Sequence, residues 1–423
     1  MMKTLSFGLL FIFFVSSLQA QYVLDYLKAA DNYFKKGDHA SAATYYEKYL
    51  ESLKTGAQKE VNPYSPPRGS KKLASSASRH ASAIYQLAES YRLLNYPAKA
   101  EPYYRETIAN SKEQFPLAQY HYAGIQRALG KYEDAEKEFR SFLDSYTNSD
   151  TYHDNAEREL QNLQFIKTQL KKKDLKYYSV AKAPAYVNTE GASYAPSWLA
   201  ANTLLFTSTR PADSTAAKKE YTNRIYQAAY TPGSISEVKK ADIPEARNVH
   251  QGAVSATPDG NTIFITRWSM KERQKQSSLF VSTRGNDGWS DPVALDAGIN
   301  APGSNTKQPF VTADGKFLFF ASDRAGGQGG FDIWYAPLNN GVPGQAANLG
   351  NTINTAHDEE APFYHAPSSS LIFSTNGRIG MGGFDFFQSK GTLGNWSTPQ
   401  NLGYPVNSIK DDIYFVSSHH GTT

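Results

Sequence analysis

The first half of the chain carries apolar residues at helical spacing, and the second carries short apolar runs at strand spacing. From Tyr22 to about Lys173 strand signals are almost absent, and three turns recur: Gly37-Asp38-His39, Asn95-Tyr96-Pro97 and Gly130-Lys131-Tyr132. Five residues after the start of each turn stands a small side chain (Ala42, Ala100, Ala135), and nine after it an aromatic one (Tyr46, Tyr104, Phe139). Seven residues before it stands Ala30, Ala88 or Ala123. Antiparallel helices approach closely only where small residues meet, and a glycine permits the sharp turn between them. The spacing therefore predicts helical hairpins with alanines at the crossings and Tyr33, Tyr46, Tyr85, Tyr91 and Tyr104 packed between helices. The second and third turns lie 35 residues apart, whereas the first and second lie 58 apart, which predicts an inserted loop at Val61–Ser70. A last helical stretch, Asn155–Leu170, caps the stack.

After Lys173 the texture changes to strands separated by Gly, Pro, Asn and Asp. Runs such as Leu205-Phe206-Thr207-Ser208 and Phe319-Phe320-Ala321-Ser322 each close on an arginine, at Arg210, Arg267, Arg324 and Arg378, spaced 57, 57 and 54 residues. Asp332 and Asp385 recur 53 apart inside Gly-Gly-Phe-Asp segments, and Asn300, Asn354 and Asn407 keep step. A period in the 50s with several strands per unit predicts propeller blades, because one sheet cannot bury both faces alone. The expected architecture is an α + β multidomain chain: an N-terminal α-solenoid, then an all-β propeller with four recognisable blades and an incomplete fifth. The fifth copy opens at Asn407, reaches Asp411-Asp412-Ile413-Tyr414 and stops at Thr423. Either a strand near Tyr177–Val180 completes it or the sequence is a fragment, the latter being preferred because an unclosed propeller exposes sheet edges.

The glycines of 325–330 invite a phosphate-loop reading, but such a loop opens a helix and both flanks here are strands. Asp332 is instead expected to cap backbone N–H groups and to pair with Arg324, a device repeated by Arg378 and Asp385.

The helical half resembles the tetratricopeptide family over about 150 residues, on the turn, alanine and aromatic spacing above. The strand half resembles the WD40-like (PD40) propellers that include the periplasmic propeller of the Tol system. Together, with Ser322-Asp323-Arg324 and Gly330-Phe331-Asp332-Ile333-Trp334, they resemble Bacteroidetes tetratricopeptide-propeller envelope proteins, a type IX secretion component among them. Those proteins often end in an OmpA-like peptidoglycan-binding domain, which is absent here, so no family site residue carries over.

The N-terminus adds a compartment. Lys3, the apolar run Leu9–Val15 and Ala20 read as a cleavable signal, too short for the ~20 residues that span a bilayer. The expected domains are a signal peptide at 1–20, helical repeats at 21–173 and a propeller at 174–423 that ends short. The expected location is the periplasm, associated with the outer membrane. With Cys 0 there are no disulfides or thiolate chemistry, and a net charge of +4 leaves no nucleic-acid footprint. Lys171-Lys172-Lys173 reads as a helix C-terminus. No His-Glu-x-x-His, Gly-x-Ser-x-Gly or Walker pattern is present, and neither cofactor nor metal is expected. His419-His420 reads as solvated, and Asp358-Glu359-Glu360 and Asp411-Asp412, repeated at one blade corner, read as structural. The expected function is a non-catalytic scaffold for envelope proteins, reaching peptidoglycan only through a missing C-terminal domain. A carbohydrate-active propeller, or a soluble peptide or glycan binder, are the alternatives.

Overall fold

The computed structural model describes residues 25–56, 70–211, 220–271 and 274–417. The signal segment, residues 61–69 of the insertion and His419-His420 lie outside them. The chain forms two compact units that divide between Lys167 and Thr168.

Among the described residues of the first unit and its border, seven helices follow one another. They are α1 (25–35), α2 (His39–Gly56), α3 (Ser70–Leu93), α4 (Pro97–Ser111), α5 (Ala118–Ala128), α6 (Tyr132–Ser145) and α7 (Thr151–Gln169). The turns ending α1, α3 and α5 use left-handed residues, Gly37 (φ 76°), Asn95 (φ 58°) and Gly130 (φ 75°), a conformation that glycine and asparagine tolerate. Ala30, Ala42, Ala88, Ala100, Ala123 and Ala135 are all fully buried, so each hairpin closes on a pair of methyl groups. Tyr46, Tyr104 and Phe139 are buried between the helices. Tyr91 is buried too, whereas Tyr33 and Tyr85 are half-buried, stacking on Tyr45 at 5.4 Å and on Phe115 at 4.3 Å.

The second unit is a four-bladed propeller of antiparallel sheets. Blade 1 holds β1 (Ser193–Ala200), β2 (Thr203–Ser208), β3 (Arg224–Thr231) and β4 (Ser234–Lys240). Blade 2 holds β5 (His250–Ala256), β6 (Thr262–Lys271), β7 (Gln274–Gly285) and the short β8 (Gly288–Trp289) and β9 (Val293–Ala294). Blade 3 holds β10 (Thr306–Val311), β11 (Phe317–Ser322), β12 (Asp332–Asn339), β13 (Val342–Pro343) and β14 (Ala347–Asn348). Blade 4 holds β15 (Glu359–His365), β16 (Ser370–Thr375), β17 (Asp385–Thr392), β18 (Asn395–Trp396) and β19 (Gln400–Asn401). Successive side chains of a strand enter opposite seams. Phe320 packs with Phe264 and Leu279 of blade 2, while its neighbour Phe319 packs with Leu371 and Phe373 of blade 4.

The first strand of each blade lines the axis, and each carries a β-bulge with one non-glycine residue at positive φ. These are Ala195 (51°), Ala253 (46°), Gln308 (58°) and Ala361 (50°). Tyr414 (70°) follows at the same spacing, 53 residues after Ala361. The fifth copy therefore reaches the axis, but among the described residues it pairs into no sheet. It is held instead by Phe384 N–H on Asp411 (3.1 Å), by the Tyr194–Tyr414 ring contact (5.6 Å) and by Trp198 Nε1–H on the Ser417 carbonyl (2.7 Å). Residues near Tyr177–Val180 do not complete a blade: Lys173–Tyr177 is a 3-10 turn and 178–180 form no strand. Val187, with Ala183 beside it, covers the outer face of blade 1 formed by Phe206, Tyr226 and Ala228.

Candidate functional site

The recurring motifs resolve into three structural devices. The four arginines reach back about 25 residues to the carbonyls that lead into their own blade. Arg210 donates to Tyr186 O (3.2 Å) and Val187 O (3.0 Å), and Arg378 to Thr352 O (2.9 Å) and Ile353 O (3.0 Å). Arg324 takes Gly298 O (3.0 Å) and Ile299 O, and Arg267 takes Pro244 O and the Gln251 side chain. A planar fork of donors suits two adjacent carbonyls. Burial pushes the Arg324 guanidinium below its usual range, although it stays charged.

Asp332 and Asp385 cap the glycine loops. Asp332 accepts from Gln328 N and Gly329 N (3.2 Å) and from Asn348 Nδ2 (2.8 Å). Asp385 does the same with Met381 N, Gly382 N (3.0 Å) and Asn401 Nδ2 (3.1 Å). The expected Arg324–Asp332 and Arg378–Asp385 pairs do not form. Each arginine is spent on carbonyls behind it, and each aspartate on the N–H groups of its own loop.

The acidic corners are spent in the same way. Asp358 receives Phe331 N–H (2.8 Å), Glu359 receives the Thr355 and Thr375 hydroxyls (2.7 Å each), and Asp412 receives Ser408 N–H (2.6 Å). Burial pushes Glu359 and Asp412 above the usual carboxylate range.

Glu360 departs from this pattern. It faces the axis, where Lys307 Nζ (2.6 Å) and Gln308 Nε2 (2.9 Å) take its two oxygens. Gln308 Nε2 also reaches the Tyr414 hydroxyl (3.1 Å), and its carbonyl accepts Ala361 N–H (3.0 Å). Burial pushes the Tyr414 hydroxyl up to about 12. On the other side Tyr194 donates to Asn223 Oδ1 (2.7 Å), Asn223 N–H donates to His250 Nδ1 (3.2 Å), and His250 stacks on Trp268 at 5.6 Å. Lys275 lies over Trp268, 4.8 Å from the ring centroid. The axis also encloses a cavity of about 400 Å³, walled by Trp198, Phe310, Phe363 and Phe415 among others.

Sequence reasoning missed Lys275, Lys307, Gln308, His250, Trp268 and Tyr414 as a group. The signal available was negative, because these positions depart from the repeat. Where three blades carry Ala195, Ala253 and Ala361, the other two copies carry Gln308 and Tyr414, and the residues before them are Tyr194, Gly252, Glu360, Lys307 and Ile413.

The sequence profile of the tetratricopeptide repeat family matches residues 26–52 and 117–149. Among solved structures, the C-terminal TPR-containing domain of a putative FK506-binding protein of Plasmodium falciparum is similar at 16% identity and TM-score 0.29, over 35% of this chain and 95% of that one. The xyloglucan-locus GH43B protein of Bacteroides ovatus is similar at 16% identity and TM-score 0.33, over 52% of this chain and 42% of that one. An α-L-arabinofuranosidase of Podospora anserina is similar at 13% identity and TM-score 0.32, over 52% and 70% respectively. No curated protein matches. Helical hairpins with tetratricopeptide matches, followed by a four-bladed propeller, define a tetratricopeptide-plus-propeller protein. The repeats mark its helical unit as a protein-interaction module. Among the described residues, no helix is long and apolar enough to cross a membrane.

Proposed function

We propose that the chain is a non-catalytic adaptor of the bacterial envelope, acting in the periplasm near the outer membrane, with the helical repeats docking protein partners. The observation that carries this reading is how the propeller spends its repeated charges. Asp332, Asp358, Glu359, Asp385, Asp411 and Asp412 all accept hydrogen bonds from backbone N–H groups, and Glu359 and Asp412 accept from hydroxyls as well. Glycoside hydrolysis needs two carboxyl groups facing one bond across about 5–10 Å, one free to donate a proton. Carboxylates used as loop caps serve rigidity instead. The likeness in blade motifs to Bacteroidetes envelope proteins adds a type IX secretion or peptidoglycan-associated complex as the setting.

The test is affinity capture with the tagged chain, expressed in a bacterium of that group after in-cell crosslinking, alongside fractionation. The expected result is recovery from the periplasmic and outer-membrane fractions with outer-membrane or peptidoglycan-associated proteins attached. Recovery from the cytoplasm, or capture without any envelope protein, overturns the reading. Hydrolysis of fluorogenic glycosides by purified protein would overturn its non-catalytic part.

A further inference from the structure

The polar groups at the axis form a circuit of two arms. One runs from Tyr194 and Asn223 of the first blade to His250, Trp268 and Lys275 of the second, the other from Lys307 and Gln308 of the third and Glu360 of the fourth to Tyr414, and the arms meet where the Tyr414 and Tyr194 rings touch. Within this circuit the acceptors are filled and some of the donors are left facing outward. Each acceptor is engaged: both Glu360 oxygens, the Gln308 and Asn223 carbonyls, and His250 Nδ1.

Donors are left over. With Nδ1 accepting from Asn223, the neutral His250 carries its proton on Nε2, and among the described residues nothing receives it. The Tyr414 hydroxyl accepts from Gln308 and its own proton has no recipient among them. Lys275 makes no ion pair or hydrogen bond among them either; its exposed side chain rests on Trp268. The Glu360 carboxylate, whose charge acts on Lys275, is already held by Lys307 at 2.6 Å. Partial desolvation against Trp268 and then the charge of Lys307 push the Lys275 amine below its usual range, and Glu360 opposes them.

The placement also singles out these residues. Lys275 and Trp268 stand on an extension of the β6–β7 hairpin, whose strands run 10 and 12 residues where those of β11–β12 run 6 and 8. The extension exists in blade 2 and interrupts an otherwise regular repeat. Features shared by the blades hold the fold together; this one serves something else.

We infer that this mouth of the propeller axis binds a carboxylate-bearing ligand, with Lys275 as its ion-pair partner and the His250 Nε2–H and Tyr414 hydroxyl as further donors. The carboxylate can come from an acidic sugar or from the end of a peptide chain, and the test separates them. The site goes beyond the adaptor reading and does not depend on it.

Isothermal titration of the full chain at low salt compares D-glucuronate with D-glucose, and N-acetyl-L-alanine with its amide. We expect saturable one-to-one binding of at least one acid and none of its neutral counterpart, the acid that binds naming the source. K275M should weaken it roughly tenfold or more, as loss of a charge-assisted contact does, and Y414F should weaken it less. K390M, which removes an exposed lysine of blade 4, should leave it unchanged. Circular dichroism checks that each variant keeps its fold. Binding of neither acid, binding of an acid and its neutral counterpart alike, or equal weakening by K275M and K390M overturns the inference.

Discussion

Asn354 grips Ile333 by both backbone groups: its side-chain carbonyl accepts Ile333 N–H at 2.8 Å, and its amide donates to the Ile333 carbonyl at 3.1 Å. Asn300 holds Leu279 and Asn407 holds Phe386 in the same way. Each asparagine stands in the connection that leads to the next axial segment, so it ties that connection to the third strand of the blade it leaves. Asn354→Leu keeps the volume and strands the buried Ile333 N–H, while the Ile333 carbonyl keeps the Leu349 N–H at 3.2 Å. We expect a loss of about 1–3 kcal/mol, read from the urea midpoint of the propeller's near-ultraviolet signal; a loss below that range shows that water takes over the bond.

The helical half was legible from sequence because its constraint is local. Ala88 and Ala100 must be small wherever two helices cross, whatever lies beyond. Blade period and hairpin turns were legible for the same reason. The pairing of Arg324 with Asp332 was misread because closeness along the chain does not fix which way a side chain turns, and Arg324 turns back to Gly298. The axial circuit was illegible because five chain segments meet there at positions where the repeat diverges. An alignment of copies treats such positions as noise.

Two glycines of blade 3, Gly329 in the Asp332 loop and Gly350 just after β14, separate two physical demands. A Cβ at Gly329 would stand 2.4 Å from the Thr355 carbonyl oxygen and 2.6 Å from that of His357, both backbone atoms of the segment leading into blade 4. Gly350 has φ +81°, and an added methyl would meet nothing within 4 Å, so only the left-handed penalty applies there. Gly350→Ala should cost about 1 kcal/mol. Gly329→Ala must push blade 3 from blade 4 and should cost well beyond that, about 3 kcal/mol or more. Equal costs, measured by urea denaturation, would show that the loop moves aside freely.

Arg324 tests the carbonyl clamp. It is 9% exposed and spreads its donors over Ser322 Oγ (3.0 Å), Gly298 O (3.0 Å) and Ile299 O. A lysine can meet one of these carbonyls and leaves the rest unmet, so Arg324→Lys should cost about 2–3 kcal/mol. Arg210 makes the equivalent contacts while half-buried, where water can replace them. Arg210→Lys should therefore cost less than half as much. Thermal unfolding of the two variants side by side decides the order, and a larger loss for Arg210 contradicts the burial argument.

The helical unit should be acid-sensitive through His121. This side chain of α5 lies 3.9 Å from Glu89, which also receives the Tyr104 hydroxyl and a hydrogen bond from Arg92 at 2.6 Å. Tyr120 and Tyr152 complete its surroundings, with ring centroids at 5.3 and 6.2 Å. Burial, the largest influence, pushes the imidazole from 6.5 down to about 4; Glu89 opposes the shift and Arg92 adds to it. The folded value lies below the unfolded one, so between them the unfolded chain binds the extra proton. The contribution is complete above pH 6.5 and is lost as pH falls towards 4, amounting to about 3 kcal/mol at most. Glu89 adds to the loss at the acid end: burial alone would raise it, but Arg92, His121 and Tyr104 hold it below the usual carboxylate range. His121→Gln keeps a polar side chain and cannot titrate. Urea midpoints followed by helical circular dichroism should fall more steeply from pH 7 to pH 4.5 in the native chain than in the variant. Parallel slopes would mean that His121 takes up its proton in the folded unit, from water that reaches it between α5 and α7.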